Sequence, residues 1–175
     1  MPDFPAIPAL DSGFAIDIGS PKLRAEDRRG VFGWLYYFAA FSPTFVRCVI
    51  RLLRLGKNSL ILDPFVGSGT TCVVAKSMNV PSIGVELNPI AYFVSRAKLF
   101  WDLKKSSVIA LLNELKNIPN QDVKPTPEFA KWFVEGDATL EKSLSLGHYI
   151  VSNVRKELAD FFISALLLSL RKVAI

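Results

Sequence analysis

The stretch Ser59-Leu-Ile-Leu-Asp-Pro-Phe-Val-Gly-Ser-Gly-Thr-Thr71 decides the fold of this chain. Its first four residues form a short apolar run, which is typical of a buried strand in a parallel sheet. The Asp-Pro that follows ends the strand, because proline cannot donate a hydrogen bond to a sheet. Gly67 and Gly69 then allow positive φ and a close approach of a ligand to the backbone.

A helix is predicted to follow this turn directly. Thr70 and Thr71 are expected to cap it, and residues 72–78 supply its apolar face. A strand, a glycine turn and a helix N-terminus together make a site for the polar part of a nucleotide-like ligand.

Three classes of ligand suit such a turn. A phosphate-binding Walker loop requires Gly-Lys-Ser/Thr after its first glycine and four further residues, and the lysine is absent. A dinucleotide site has a third small residue in Gly-x-Gly-x-x-Gly, and this chain has Cys72 there. S-adenosylmethionine is the third ligand, since its site uses the same elements without a pyrophosphate. Residues 81–86 are predicted to form a second strand ending in Glu86, whose carboxylate can accept both ribose hydroxyls in either of the last two sites.

Each feature also has a simpler interpretation when it is taken alone. Gly-x-Gly after a strand is often a plain tight turn, and a glutamate at a strand end is often only solvated. Asn88-Pro89 is a good helix start, with asparagine as the cap and proline in the first turn. The order and spacing of the three features favour a cofactor site over this combination of simpler explanations.

Asp63-Pro-Phe-x-Gly-Ser-Gly-Thr-Thr71 followed by Gly84-x-Glu-x-Asn-Pro89 resembles the cofactor half of the DNA amino-methyltransferases. These enzymes use S-adenosylmethionine to methylate the exocyclic amine of adenine or cytosine in DNA. Upstream, Phe41-Ser-Pro43 and the amphipathic helix after it are similar to the family segment that holds the cofactor's methionine end. The resemblance implies a doubly wound, Rossmann-like α/β fold, incomplete in this chain, with extra helices in the C-terminal half. The cofactor-binding residues that it implies are Phe41, Ser42, Asp63, Pro64, Phe65, Gly67, Ser68, Gly69, Thr70, Thr71, Glu86, Leu87 and Asn88.

The catalytic motif of that family is missing from the sequence. The motif is Asp, Asn or Ser followed by Pro-Pro and an aromatic residue, and this chain contains no Pro-Pro dipeptide. We therefore expect no catalytic residue in this chain, and expect the motif either beyond Ile175 or on a second chain that completes the sheet. The alternative function is a non-catalytic subunit that binds S-adenosylmethionine or DNA in a modification complex. A nicotinamide-dependent oxidoreductase is a third possibility, against which Cys72 and the Asp-Pro-Phe lead-in argue.

Composition narrows the class of protein further. The net charge is +5, from 21 basic and 16 acidic residues, which suits a polyanionic partner such as DNA. No apolar run reaches the roughly 18 residues of a membrane span, and no signal-peptide pattern opens the chain, so we interpret it as cytoplasmic. Cys48 and Cys72 are predicted to be reduced residues in helices, and His148 has no partner cluster, so no metal site is expected.

We divide the 175 residues into three segments: a loop-rich segment (1–30), an S-adenosylmethionine-binding core (31–103) and a helical segment (104–175) completed by residues or a chain not present here.

The aromatic run 31–38 is expected to pack on the core. Ser42 and Pro43 predict the start of a helix over 44–55, with Gly56 as its stop. Phe45, Val49, Leu52 and Leu53 are assigned to the apolar face of that helix. Further helices are predicted over 90–103, 106–115, 128–133 and most of 144–175, and weak strands over 15–18 and 134–137.

Overall fold

The predicted strand, turn and helix are present in the computed structural model, which describes residues 19–35, 40–125 and 138–173. The described part of the chain divides into two compact units, within residues 1–85 and 86–175. The first unit contains, in order, a 3-10 turn (Gly30–Gly33), helix α1 (Pro43–Leu52), strand β1 (Ile61–Asp63), helix α2 (Thr70–Ser77) and strand β2 (Ser82–Gly84).

Strands β1 and β2 pair in parallel, with Leu62 opposite Ile83 and Asp63 opposite Gly84. Both predicted strands therefore exist, although each is shorter than its apolar run suggested. Parallel pairing requires a crossover, and α2 supplies it. The architecture is mixed α/β and is compatible with the doubly wound sheet predicted above, of which these are the strands found among the described residues.

Helices α1 and α2 share one hydrophobic core with Val80. Val46 and Ile50 of α1 are buried against Val74 and Ala75 of α2, and Phe32 from the aromatic run packs on this cluster, as predicted. The predicted face of α1 is wrong in part. Leu52 and Leu53 are exposed, because the helix turns Val46 and Ile50 towards α2 and ends at Leu52.

The end of α1 also differs from the prediction. Gly56 was expected to stop the helix, but Arg54 takes the left-handed conformation at φ 52°. The Leu55 N–H then donates to the carbonyl of Ile50 at 3.0 Å. That bond is typical of a helix terminated by a left-handed residue, a position that usually holds glycine or asparagine.

One face of the two-stranded sheet is covered and the other is open. Ile61 packs towards the α1–α2 core. Leu62, its neighbour on the opposite face, is 62% exposed, and its partner Ile83 is 50% exposed. Leu60 and Val85 lie on the same open face by strand alternation and are also exposed. Since parallel sheets are normally covered on both faces, this apolar face is unusual.

Gly84 marks a close approach of α2 to the sheet. A Cβ at this position would lie 2.9 Å from the Val66 side chain and 3.0 Å from the sulfur of Cys72. Burial raises the pKa of that thiol, and a hydrogen bond with Ser82 partly offsets the effect. The neutral Cys72 side chain therefore acts as a small apolar residue that lets the helix lie directly on β2.

The second unit is helical, with α3 (Pro89–Ala97), α4 (Lys105–Lys116), α5 (Ala138–Asn153) and α6 (Lys156–Val173). The predicted helices over 90–103 and 106–115 are present with shifted ends. The predicted helix within 144–175 is two helices, because the chain breaks helical structure at residues 154–155. The core of this unit comprises Leu111, Leu115, Ile118, Ile150, Leu158, Phe162 and Ile163.

A charged pair connects α3 to α6 inside this unit. Arg96 and Asp160 lie 2.7 Å apart, and the Asp160 side chain is only 6% exposed. Burial raises the pKa of Asp160, and the Arg96 guanidinium acts in the opposite direction. Arg96 also donates to the hydroxyl of Tyr92 at 2.6 Å. Asp160 and the buried Ser164 therefore give α6 a polar side that the apolar run in the sequence did not suggest.

Three predicted elements, the strands over 15–18 and 134–137 and the helix over 128–133, fall outside the described residues. So does part of the aromatic run, residues 36–38. Among the described residues, no helix has the length and apolar character that crossing a membrane requires.

We expect Gly84→Ala to lower the free energy of unfolding by about 1–3 kcal/mol, because the new methyl group overpacks Val66 and Cys72. Urea denaturation measures this change. Gly56→Ala is the matched control, since no atom lies within 4 Å of a Cβ at Gly56. Equal effects from both substitutions would contradict the close packing of α2 on β2.

Lys98, the C-cap residue of α3, gives a prediction about pH. It is 1% exposed, and burial lowers its pKa from 10.5 to about 8. Between those two values the lysine is neutral in the folded chain and protonated in the unfolded chain. The unfolded state then binds more protons, so stability rises as pH increases through this window.

Lys98→Met should therefore be more stable than the parent chain at pH 7 by up to about 3 kcal/mol, with the difference shrinking towards pH 10.5. Thermal or urea unfolding of both proteins across that pH range tests this expectation. The exposed Lys105 provides the control Lys105→Met, which should leave the pH profile unchanged. A parallel profile for parent and Lys98→Met would show that Lys98 is not the group responsible.

Candidate functional site

The turn between β1 and α2 is held in place by backbone hydrogen bonds to Val85, the residue that directly follows β2. The Val85 N–H donates to the carbonyl of Asp63 at 2.9 Å, and the Val66 N–H donates to the carbonyl of Val85 at 3.0 Å. The Asp63 carboxylate accepts the N–H of Phe65 at 3.1 Å. Asp63 is thus the last residue of β1, and its side chain also stabilises the turn that follows by accepting the Phe65 N–H.

Both glycines of the turn use conformations that other residues avoid. Gly67 has φ 54° and Gly69 has φ 89°, and both are buried. Gly69 occupies the cap position of α2 and, as a glycine, makes no side-chain capping bond. Gly69 itself therefore brings no side chain to the start of α2, which suits a turn whose backbone approaches a ligand.

The prediction that Thr70 and Thr71 cap α2 is wrong. Both lie within the first turn of the helix and are buried, because the left-handed Gly69 starts the helix one residue earlier than expected. Ser68 is also buried. Pro64 and Phe65 are exposed instead, and Phe65, at 84%, presents its ring to solvent.

The upstream segment, Phe41 and Ser42, lies in the same unit. Phe41 forms an isolated antiparallel bridge with Lys22, and the Ser42 N–H donates to the carbonyl of Pro21 at 2.8 Å. Ser42 is the cap residue of α1 with Pro43 first in the helix, as predicted, although its side chain makes no capping bond. The partly exposed Phe41 ring lies 5.8 Å from that of Phe45. The helix that follows this segment, α1, packs on α2.

Glu86, Leu87 and Asn88 belong to the second unit. Glu86 Oε1 accepts the N–H of Asn88 at 2.8 Å. Asn88 Oδ1 in turn accepts the N–H groups of Ile90 and Ala91, so the predicted cap of α3 is confirmed. Leu87 is 93% exposed, which is unusual for a leucine.

Two residues of the site were missed by sequence reasoning. The sequence places Gly84 and Val85 in a strand and predicts no specific role for either. In the structure, Gly84 lets α2 pack closely on β2, and Val85 holds the turn through two backbone hydrogen bonds. The available signal was the glycine itself, since glycine inside a short strand often marks a close approach. Glu86 is the next residue in the sequence after Val85.

No group of three or more His, Cys, Asp or Glu side chains able to hold a metal ion is present in the part of the chain that the structure describes.

Residues 19–98 match the family model of the DNA methylases. The type II methyltransferase M.BsoBI of Geobacillus stearothermophilus is 36% identical over 77 residues, which are 44% of this chain and 15% of that protein. M.MjaII of Methanocaldococcus jannaschii is 33% identical over 110 residues, 61% of this chain and 20% of that protein. M.SmaI of Serratia marcescens is 37% identical over 75 residues, 39% of this chain and 25% of that protein. No solved structure matches the chain at comparable significance.

Residues 19–98 are therefore similar to the DNA amino-methyltransferase family, as the resemblance predicted. The matched stretch contains all the site residues named above. The chain spans only 15% to 25% of the length of these three relatives.

The double role of Asp63 leads to a stability prediction. Asp63→Ala removes the acceptor of the Phe65 N–H and should lower the free energy of unfolding by about 0.5–1.5 kcal/mol. Asp63→Asn keeps an acceptor oxygen at the same place and should retain most of that stability. Equal losses in the two variants, measured by urea denaturation, would mean that the charge and not the hydrogen bond stabilises the turn.

Proposed function

We propose that this chain binds S-adenosylmethionine at the glycine turn and supplies the cofactor-binding part of a DNA methyltransferase. The observation that supports this most directly is the turn between β1 and α2, with its two buried left-handed glycines and its cap position without a side chain. The match of residues 19–98 to the DNA methylase family model supports the choice of ligand class.

The residues of the turn fit the methionine end of that cofactor. Asp63, Phe65, Gly67, Gly69 and Thr70 would shape the turn around it, with Pro64, Ser68 and Thr71 completing the same stretch. Phe41 and Ser42 would lie beside the methionine tail. The bound cofactor would supply a methyl group made electrophilic by its attachment to a sulfonium.

The start of the second unit fits the other end of the cofactor. Glu86 would accept the two ribose hydroxyls, because a carboxylate offers two oxygens and one of them, Oε1, is already oriented by the Asn88 N–H. Leu87 offers an exposed apolar side chain next to it, and Asn88 fixes the backbone by capping α3.

The proposed reaction of the whole protein is methyl transfer to the exocyclic amine of adenine or cytosine in DNA, in a restriction–modification setting. The named relatives are type II methyltransferases, which supports the reaction class. The catalytic Pro-Pro motif would come from residues outside this sequence or from a second chain. The open apolar face around Leu62 and Ile83 supports this view, since further parts of the fold would cover it.

A non-catalytic subunit that binds S-adenosylmethionine or DNA is the second candidate. The observation that favours it is the absence of a Pro-Pro dipeptide from all 175 residues. The first candidate and a subunit that binds S-adenosylmethionine share the cofactor site and differ in whether this chain takes part in methyl transfer, whereas a subunit that binds only DNA would not use that site.

Calorimetry with S-adenosylmethionine tests the shared cofactor site. Glu86→Ala should weaken binding by about 1–3 kcal/mol, since the ribose hydroxyls would lose a buried partner. Glu86→Gln keeps an oxygen for the Asn88 N–H, so it should fold like the parent chain and still bind more weakly. Glu141→Ala, which removes an exposed carboxylate in α5, is the control and should leave binding unchanged. Tight binding of a nicotinamide dinucleotide, with none of S-adenosylmethionine, would reject the proposal.

A further inference from the structure

Three arginines lie on helix α1 or just past its end. Arg47 and Arg51 are spaced by four residues, which places them on one face of α1, and Arg54 follows just past the end of that helix. We call these three residues the basic stripe. A four-residue step advances about 6 Å along a helix axis, so Arg47 and Arg51 lie about one turn apart.

Two of the three arginines are exposed, and among the described residues the stripe has no acidic partner. Arg51 and Arg54 are exposed and Arg47 is half-buried, while α1 contains no acidic residue. Within residues 19–35, 40–125 and 138–173, none of the three arginines forms an ion pair. The surrounding unit does not neutralise them either, since its described part holds nine basic residues against Glu26, Asp27 and Asp63.

Helix stability does not explain the stripe. Cations near a helix C-terminus are stabilised by the helix dipole, and this accounts for Arg51, which lies in the last turn of α1. The effect falls off within one turn, so it does not account for Arg47 in the first half of the helix. The dipole also favours a cation at Arg54, just past the C-terminus, but gives no reason for a residue with a side chain in the left-handed conformation there.

Arg54 is the informative member of the stripe. Its φ of 52° lies in the left-handed region, where a residue with a side chain is strained and glycine is not. Glycine or asparagine would end α1 at a lower conformational cost. An arginine kept in a strained position, just past a helix that carries two other arginines, indicates that its charge is used.

We propose that the basic stripe binds the phosphate backbone of duplex DNA. The planar guanidinium group pairs with phosphate through two parallel hydrogen bonds, and a group of arginines close together suits the repeating charges of DNA. Such contacts position a protein on DNA without reading its sequence. The choice of DNA among polyanions rests on the proposed function.

Fluorescence anisotropy with a labelled duplex of mixed sequence tests the proposal across a range of salt concentrations. The triple variant Arg47→Gln, Arg51→Gln, Arg54→Gln should bind on the order of tenfold more weakly or worse, whatever the duplex sequence. The slope of log affinity against log salt should become shallower by about 0.9 for each phosphate that the variant no longer neutralises. A slope unchanged from that of the parent chain would overturn the proposal.

The chain offers a control with the same change in charge. Lys104, Lys105 and Lys124 are exposed residues of the second unit, and their triple substitution by Gln should leave the slope close to that of the parent chain. Equal losses in both triple variants would mean that net charge, not the stripe, binds DNA. Preferential binding to vesicles of phosphatidylserine and phosphatidylcholine, abolished in the stripe variant, would assign the stripe to membranes and overturn the proposal.

Arg54→Gly separates DNA binding from folding. Glycine relieves the strain at φ 52°, so the Tm should be unchanged or higher while the salt slope becomes shallower by about 0.9. If Arg54→Gly binds DNA as tightly as the parent chain does, Arg54 does not contact DNA and the argument from its strained conformation is wrong.

Calorimetry with S-adenosylmethionine on the same proteins keeps the two proposals apart. The stripe variants should bind the cofactor like the parent chain, since no arginine of the stripe belongs to the glycine turn. If the parent chain binds DNA through the stripe but does not bind S-adenosylmethionine, the proposed function is wrong and the proposal about the stripe still holds.

Discussion

The close packing of α2 on β2 at Gly84 is the constraint on which the first unit depends. Because no side chain intervenes there, the helix and the strand approach closely enough for Val66 and Cys72 to fill the space. Val85 can then pair with both Asp63 and Val66, which fixes the turn between β1 and α2. The shape of the glycine turn is thus set from outside the turn, by the strand beside it.

Local signals in the sequence were sufficient for the strand–turn–helix and for the Asn88 cap, because their causes lie within a few residues. The errors arose where distant residues decide the outcome. The buried face of α1 is selected by α2, so Val46 and Ile50 are turned inward instead of Leu52 and Leu53. Arg54 ends α1 although Gly56 was the better candidate by propensity. The role of Gly84 is visible only once α2 lies against β2.

The second unit joins a stretch that matches the DNA methylase family to helices that lie beyond the match. Helix α3 falls within residues 19–98, whereas α4, α5 and α6 do not. Arg96 of α3 and Asp160 of α6 form the buried charged pair between the two parts. A buried pair adds little net stability while intact, but losing one partner leaves an uncompensated charge. Substitution of either Arg96 or Asp160 alone should therefore destabilise the packing of α3, which lies in the matched stretch, on α6, which lies beyond it.

The two cysteines differ in a way that matters for spectroscopy. Cys72 is buried beneath β2 and its thiol has a raised pKa, so it is poorly reactive towards alkylating reagents. Cys48 is half-buried in α1, directly after the first arginine of the basic stripe. With only two cysteines in the chain, a maleimide dye would attach selectively at Cys48 without mutagenesis. The protein thus carries its own attachment point for a fluorophore on the helix whose partner is in question.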